Sequence, residues 1–211
     1  MKKILLVALA AAAMVGCSQN EEIENEAQKA EIKIGTIVKA GTKALITDDS
    51  NFAAFTVHGY KTAAAMSAET QLATGFIDNE ALLKSNEWAL SKTYYWPATG
   101  FVQFFATSPA RVLDITTKAG YPTFEYTVNP VASQEDLVAA YVKDQTKSKD
   151  MITLPFAHLL TQVNFSIKGD TKDFTYTVSK LVIKGAKDKA TFTFNGTTTG
   201  SWGLQLYQQQ I

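Results

Sequence analysis

Tyr94-Tyr95-Trp96-Pro97-Ala98-Thr99-Gly100-Phe101-Val102-Gln103-Phe104-Phe105-Ala106-Thr107-Ser108-Pro109 is the stretch on which the fold turns. Two aromatic runs flank a Pro-Ala-Thr-Gly interruption. Aromatic and β-branched side chains suit a pleated, half-buried surface, and Pro with Gly suits a turn. The stretch therefore predicts a hairpin of two core strands. Two of the three Trp residues, Trp88 and Trp96, fall in or near it. Large aromatic groups remove the most apolar area from water, so Trp88, Tyr94, Trp96 and Phe104 are expected in the core.

Outward from this centre, the chain continues in short alternating segments. Residues 31–38 alternate, with Ile32, Ile34 and Val38 on one face, and predict a first strand. Residues 52–60 predict a second, with Phe55 and Val57 opposite Thr56 and His58. Residues 63–73 are richer in helix formers and read as a short helix or a loop, while 76–77 and 87–90 are short strand candidates. Residues 124–128 alternate cleanly. Ser133-Gln134-Glu135-Asp136 resembles a helix start, yet 137–142 is short enough to be a strand. Residues 144–150 are charged and lysine-rich, and read as a linker between two halves. Beyond it, 152–156, 163–168, 174–178, 180–184 and 191–194 all read as strands, with Phe156 and Phe165 in the core; Asn195-Gly196 is a hairpin-turn pair. Regular short strands with polar breaks indicate an all-β sandwich.

The totals exclude several classes. The 211 residues carry a formal net charge of +0, which argues against a nucleic-acid partner, since that needs a basic face. Arg111 is the only arginine, which argues against a bidentate anion clamp. One cysteine and two histidines leave no internal disulfide and no His/Cys metal cluster. No nucleophile elbow, phosphate loop or dinucleotide fingerprint is present. His58 alternates with Val57 on a strand and His158 sits in an apolar run, and both read as structural groups. The residue inventory thus points away from an enzyme, with no catalytic residue, cofactor or metal expected.

The first residues carry a different message. Met1-Lys2-Lys3 is a positive leader, 4–13 is an apolar run too short to span a bilayer, and Met14-Val15-Gly16-Cys17 follows. This resembles the lipobox of bacterial lipoproteins. The resemblance implies a signal peptide over 1–16, cleavage before Cys17 and acylation there (palmitate among the chains), with anchoring in the outer membrane. Several acyl chains are needed, because each buried methylene adds only about 0.8 kcal/mol. Residues 17–30 are polar and acidic and read as a flexible tether; they also resemble the acidic signal that directs lipoproteins to the cell surface.

Taken in order, the segments resemble the fimbrillin-like (Mfa-like) family of pilus subunits. The features that carry the resemblance are Trp88 with Tyr94-Tyr95-Trp96-Pro97, then Phe104-Phe105-Ala106 and Ser108-Pro109. Ser133-Gln134-Glu135-Asp136-Leu137 follows, and then the run from Leu154-Pro155-Phe156 through His158 to Val163. The family implies tandem transthyretin-like (Greek-key) β-sandwich domains, here 31–149 and a partial, incomplete second domain over 150–211. That second half is either a truncated product or completed by another chain. The family also implies strand exchange: a protease removes the N-terminal strand, and another subunit's strand fills the emptied groove. Carried onto this chain, Ile32, Ile34 and Val38 belong to the removable strand, and Lys39 and Lys43 mark the processing loop. Relatives often carry arginine there, so an uncut, lipid-anchored base subunit is the other outcome. The expected function is a structural or anchor subunit of a fimbrium. Its partners would be other pilus subunits, the outer membrane and, in adhesion, a host surface protein or glycan. The alternative is a surface glycan-binding lipoprotein, which a solvent-facing row of aromatics would favour.

Overall fold

The computed structural model describes residues 29–38, 50–72, 75–110, 119–170, 173–197 and 200–203. The elements in chain order are β1 (Ile34–Val38), β2 (Ala54–Thr62), β3 (Ile77–Leu83), β4 (Phe101–Ser108), β5 (Thr123–Thr127), β6 (Val138–Gln145), β7 (Ile152–His158), β8 (Lys189–Thr193) and β9 (Ser201–Gly203). One 3-10 turn lies at Val131–Ser133. The protein is all-β. A six-stranded sheet runs β1-β7-β6-β4-β2-β3, and a three-stranded sheet runs β5-β8-β9. Every ladder is antiparallel except β1–β7, which is parallel.

β4 is the organising strand, flanked by β2 and β6. Successive side chains of a strand point to opposite faces. Phe104 therefore enters one core and Phe105 the other. The first core gathers Phe55, Val57, Phe104, Trp96 and Phe156 with Ile34 and Val38 of β1 and Ile32 just before it. The second lies between the two sheets, where Phe105 and Tyr141 meet Phe124, Phe192 and Phe194. The Phe105 and Tyr141 rings stack at 4.6 Å, and Phe194 meets Phe105 edge-on at 5.1 Å. Because both faces of the central strands are covered, β2 is buried from Phe55 to Tyr60 instead of alternating.

The 94–109 stretch is not the hairpin its pattern predicts. Its second half is β4, but residues 94–96 pair with residues 30–32. Ile32 donates its N–H to the Tyr94 carbonyl at 2.8 Å, and Trp96 donates to that of Ala30 at 3.0 Å. Pro97 has no N–H to continue a ladder. Gly100 turns at φ +80°, where a Cβ would meet the Thr62 carbonyl at 2.6 Å. Trp96 still packs edge-on against Phe104 at 6.1 Å, so the two halves meet through side chains.

Residues 137–142, open between helix and strand on sequence, fall on strand β6 (Val138–Gln145) from Val138 onward. The 63–73 region forms no helix among its described residues. The boundary expected at 149/150 falls between β6 and β7, which are neighbours in the large sheet. The largest departure is residues 161–188. The strands expected at 163–168, 174–178 and 180–184 form no ladder, and every described residue there is exposed. Phe165, expected in the core, is 55% exposed. Alternation makes a segment fit for a sheet, but a strand exists only where a second backbone takes up its hydrogen bonds.

Candidate functional site

The site is built on β1, which is an edge strand. Ile32, Ile34 and Val38 are 2–4% exposed and fill the first core, as their alternation predicts. On one side β1 pairs with β7 alone, from Ile34 opposite Ile152 to Val38 opposite Phe156. Ile152 donates to the Lys33 carbonyl at 2.8 Å, so the main-chain groups of residues 33, 35 and 37 turn toward β7. Those of the even-numbered residues turn the other way, where Ala30 and Ile32 meet residues 94–96.

Beyond that contact the two segments part. Ile34 and Thr36 face a groove of about 690 Å³ whose opposite wall is residues 86–93. No described strand pairs with this side of β1. Trp88 and Leu90, half-buried against the first core, form its apolar part. Glu31, Glu87, Lys33 and Lys92 balance its charge. Gly35 belongs to the same construction: a Cβ there would lie 2.7 Å from the end of Met151, which covers it.

The far wall is held by Glu80 of β3. Its carboxylate accepts the Tyr94 hydroxyl at 2.7 Å, the Ser91 hydroxyl at 2.9 Å and the Ser91 N–H at 3.2 Å. Partial burial pushes the Glu80 carboxyl up. The hydrogen bonds from Tyr94 and Ser91 and the charge of Lys92 outweigh it, and leave the group below its usual value. Tyr94 is pushed up to about 12, by burial first and then by Glu80. Nothing local in the sequence marks Glu80, since its partners lie 11 and 14 positions away.

A second polar cluster braces the sheet interior. Gln103, fully buried in β4, donates to Thr62 and to the Asp144 carboxylate, each at 2.9 Å, and accepts the Asp144 N–H at 2.8 Å. Asp144 also accepts the Met66 N–H at 2.7 Å. Asp144 adopts φ +55°, and the β4–β6 register shifts here between Val102 and Phe104. One glutamine inside an aromatic run was the available sequence signal for this bracket.

The two histidines are apart in role. The His58 ring accepts the Asn79 N–H at 3.3 Å and lies 3.4 Å from Asp78. Burial, outweighing the Asp78 carboxylate, holds its pKa below 6.5. His158 pairs with Asp136 at 2.9 Å beside the β6–β7 ladder. Among the described residues no group of three His, Cys, Asp or Glu side chains could hold a metal. Of the other sequence-chosen residues, Tyr94, Trp96, Phe104 and Phe156 are buried, and Trp88 is half-buried against the core. Cys17, Lys39 and Lys43 lie outside the described residues.

An all-β protein with a core-filling edge strand at its N-terminal side invites comparison with known chains. The fimbrillin-like family profile matches residues 39–209, and the chain belongs to that family. It is similar to the fimbrium subunit Fim1C of Phocaeicola vulgatus, with 26% identity across 93% of this chain. The match spans 61% of that relative's length. No solved structure matches.

Proposed function

We propose that the chain is a structural or anchor subunit of a cell-surface pilus, exported as a lipoprotein acylated at Cys17 and joined to its neighbours by strand exchange. Family membership and the fimbrium-subunit relative support a pilus role. The observation that carries the finer reading is the placing of β1. With Ile32 just before it, it contributes Ile34 and Val38 to the first core, yet among the described residues its ladder is with β7 alone. Loss of such a strand uncovers an apolar slot beside β7. A strand of the same alternation from a neighbour refills it, with main-chain bonds supplying affinity and alternate side chains supplying register. Cleavage at Lys39 or Lys43, directly after β1, releases the strand and makes a shaft subunit. Without cleavage the chain keeps its lipid and serves as the base.

Mass spectrometry of the mature N-terminus on native cells tests this. A start at Cys17 with acyl mass identifies an anchor, and a start after Lys39 or Lys43 identifies a shaft subunit. An unprocessed Met1, or absence of the chain from purified pili, overturns the reading. Burial of Trp96 and half-burial of Trp88 against the core favour this reading over a glycan-binding surface, while the exposed Tyr95, Phe165, Phe174 and Tyr176 are the aromatics that a glycan-binding surface would use. Attachment to a host surface protein or glycan would then belong to the assembled pilus.

A further inference from the structure

Thirteen large apolar side chains are exposed among the described residues, and nine of them fall within 163–183. Exposed apolar surface on this scale marks an interaction site. Three of the other four, Ile37, Tyr95 and Met151, cluster at the β1 end of the large sheet: Ile37 on β1, Tyr95 bridged to Glu31, and Met151 in the wall of the groove. Among the described residues, then, two surfaces of complementary kind have no strand paired to them. One is a segment of alternating apolar residues with no ladder. The other is a strand edge with outward main-chain groups at Ile34 and Thr36 and an apolar groove beside it.

We propose that residues 163–168 of one copy dock as an added strand against the outer edge of β1 in a second copy. The segment Val163-Asn164-Phe165-Ser166-Ile167-Lys168 alternates strictly, so one face can cover Trp88 and Leu90 while the other meets water. Six residues extend about 20 Å at 3.3 Å each, enough to run past Ile34 and Thr36 on β1. The neutral balance of the groove's two glutamates and two lysines sets no charge barrier. The two surfaces are different, so the contact is head-to-tail and leaves one of each free at the ends; such contacts propagate. This joint needs β1 in place, and is therefore separate from exchange into the slot that β1 vacates. It shares with the pilus reading only that copies associate.

Every described residue follows position 28, so a chain starting at residue 17 with Cys17→Ser retains the whole described fold without acyl chains. Its mass is followed against concentration by sedimentation and light scattering. The expected result is growth beyond a dimer. Phe165→Lys with Ile167→Lys disables the segment, at positions already exposed. Thr36→Pro disables the edge by removing an N–H that points away from β7, the setting in which an edge strand accepts proline. Each variant alone should stay monomeric, and an equimolar mixture should double in mass and stop there. Leu90→Glu replaces Thr36→Pro if circular dichroism shows the latter unfolded. A monomeric parent at all concentrations, association that survives either variant, or a mixture that stays monomeric overturns the proposal. The pilus reading is judged separately, by the mature N-terminus and by the content of native pili.

Discussion

The centre of the large sheet and the 161–188 segment are written in the same chemical alphabet and end in opposite states. β4 reads Phe-Val-Gln-Phe-Phe-Ala-Thr-Ser and is buried from Val102 to Ser108. Residues 163–168 read Val-Asn-Phe-Ser-Ile-Lys and are exposed throughout. The difference lies in partners. β4 has β2 on one side, β6 on the other and a core over each face. The other segment has no neighbouring strand among the described residues. A β-strand is half of an interaction, and its burial belongs to the pair.

Matched truncations break this comparison most strongly. Phe104→Ala should cost about 3–5 kcal/mol, because a large buried ring leaves a cavity between two packed layers. A urea titration reads the loss directly. Gln103→Leu should cost about 1–3 kcal/mol, since the Asp144 N–H, the Asp144 carboxylate and Thr62 all lose a partner inside the sheet. Tyr94→Phe should cost about 1 kcal/mol by removing the hydroxyl that Glu80 holds, with the core ring left in place.

A pH series sharpens the buried half of the comparison further. His58 has its folded pKa below its unfolded 6.5, so the unfolded chain binds its proton first. The stability it contributes is complete above pH 6.5 and is lost as pH falls from there through the folded value. Glu80, also lowered, acts only below its unfolded 4.5. Between pH 7.5 and 5 the wild-type urea midpoint should therefore drop, and His58→Gln should flatten that slope. An unchanged slope would remove His58 from the account. The smallest effect belongs to the exposed half: Phe165→Ala should change the stability of the monomer by no more than about 0.5 kcal/mol. A loss approaching that of Phe104→Ala would mean that 163–168 is packed after all.

Much of the fold was legible in local pattern. The alternation at 31–38, 52–60, 124–128, 152–156 and 191–194 located β1, β2, β5, β7 and β8. The buried set Ile32, Ile34 and Val38 was readable from period two alone. The hairpin at 94–109 misled, because two aromatic runs joined by a turn look adjacent, whereas Tyr94 and Trp96 hydrogen-bond to residues some 60 positions earlier. β3 was longer than its apolar start suggested: Asp78, Asn79 and Glu80 are polar, and only their place on an edge strand explains them. Of the candidate site, the inward face of β1 was visible in the sequence. The groove behind it was not, because its far wall comes from residues 86–93.

The sequence by itself determined the class: short alternating segments, neutral charge, scarce histidine and cysteine, and an ordered set of motifs shared with fimbrillin-like chains. Only the tertiary structure decided which segments became strands, which strand β1 joined and which Phe was left in water. The physical reason is that side-chain period is a property of neighbours along the chain. A ladder, by contrast, needs a second backbone brought from far away, and nothing in a short window says whether one arrives.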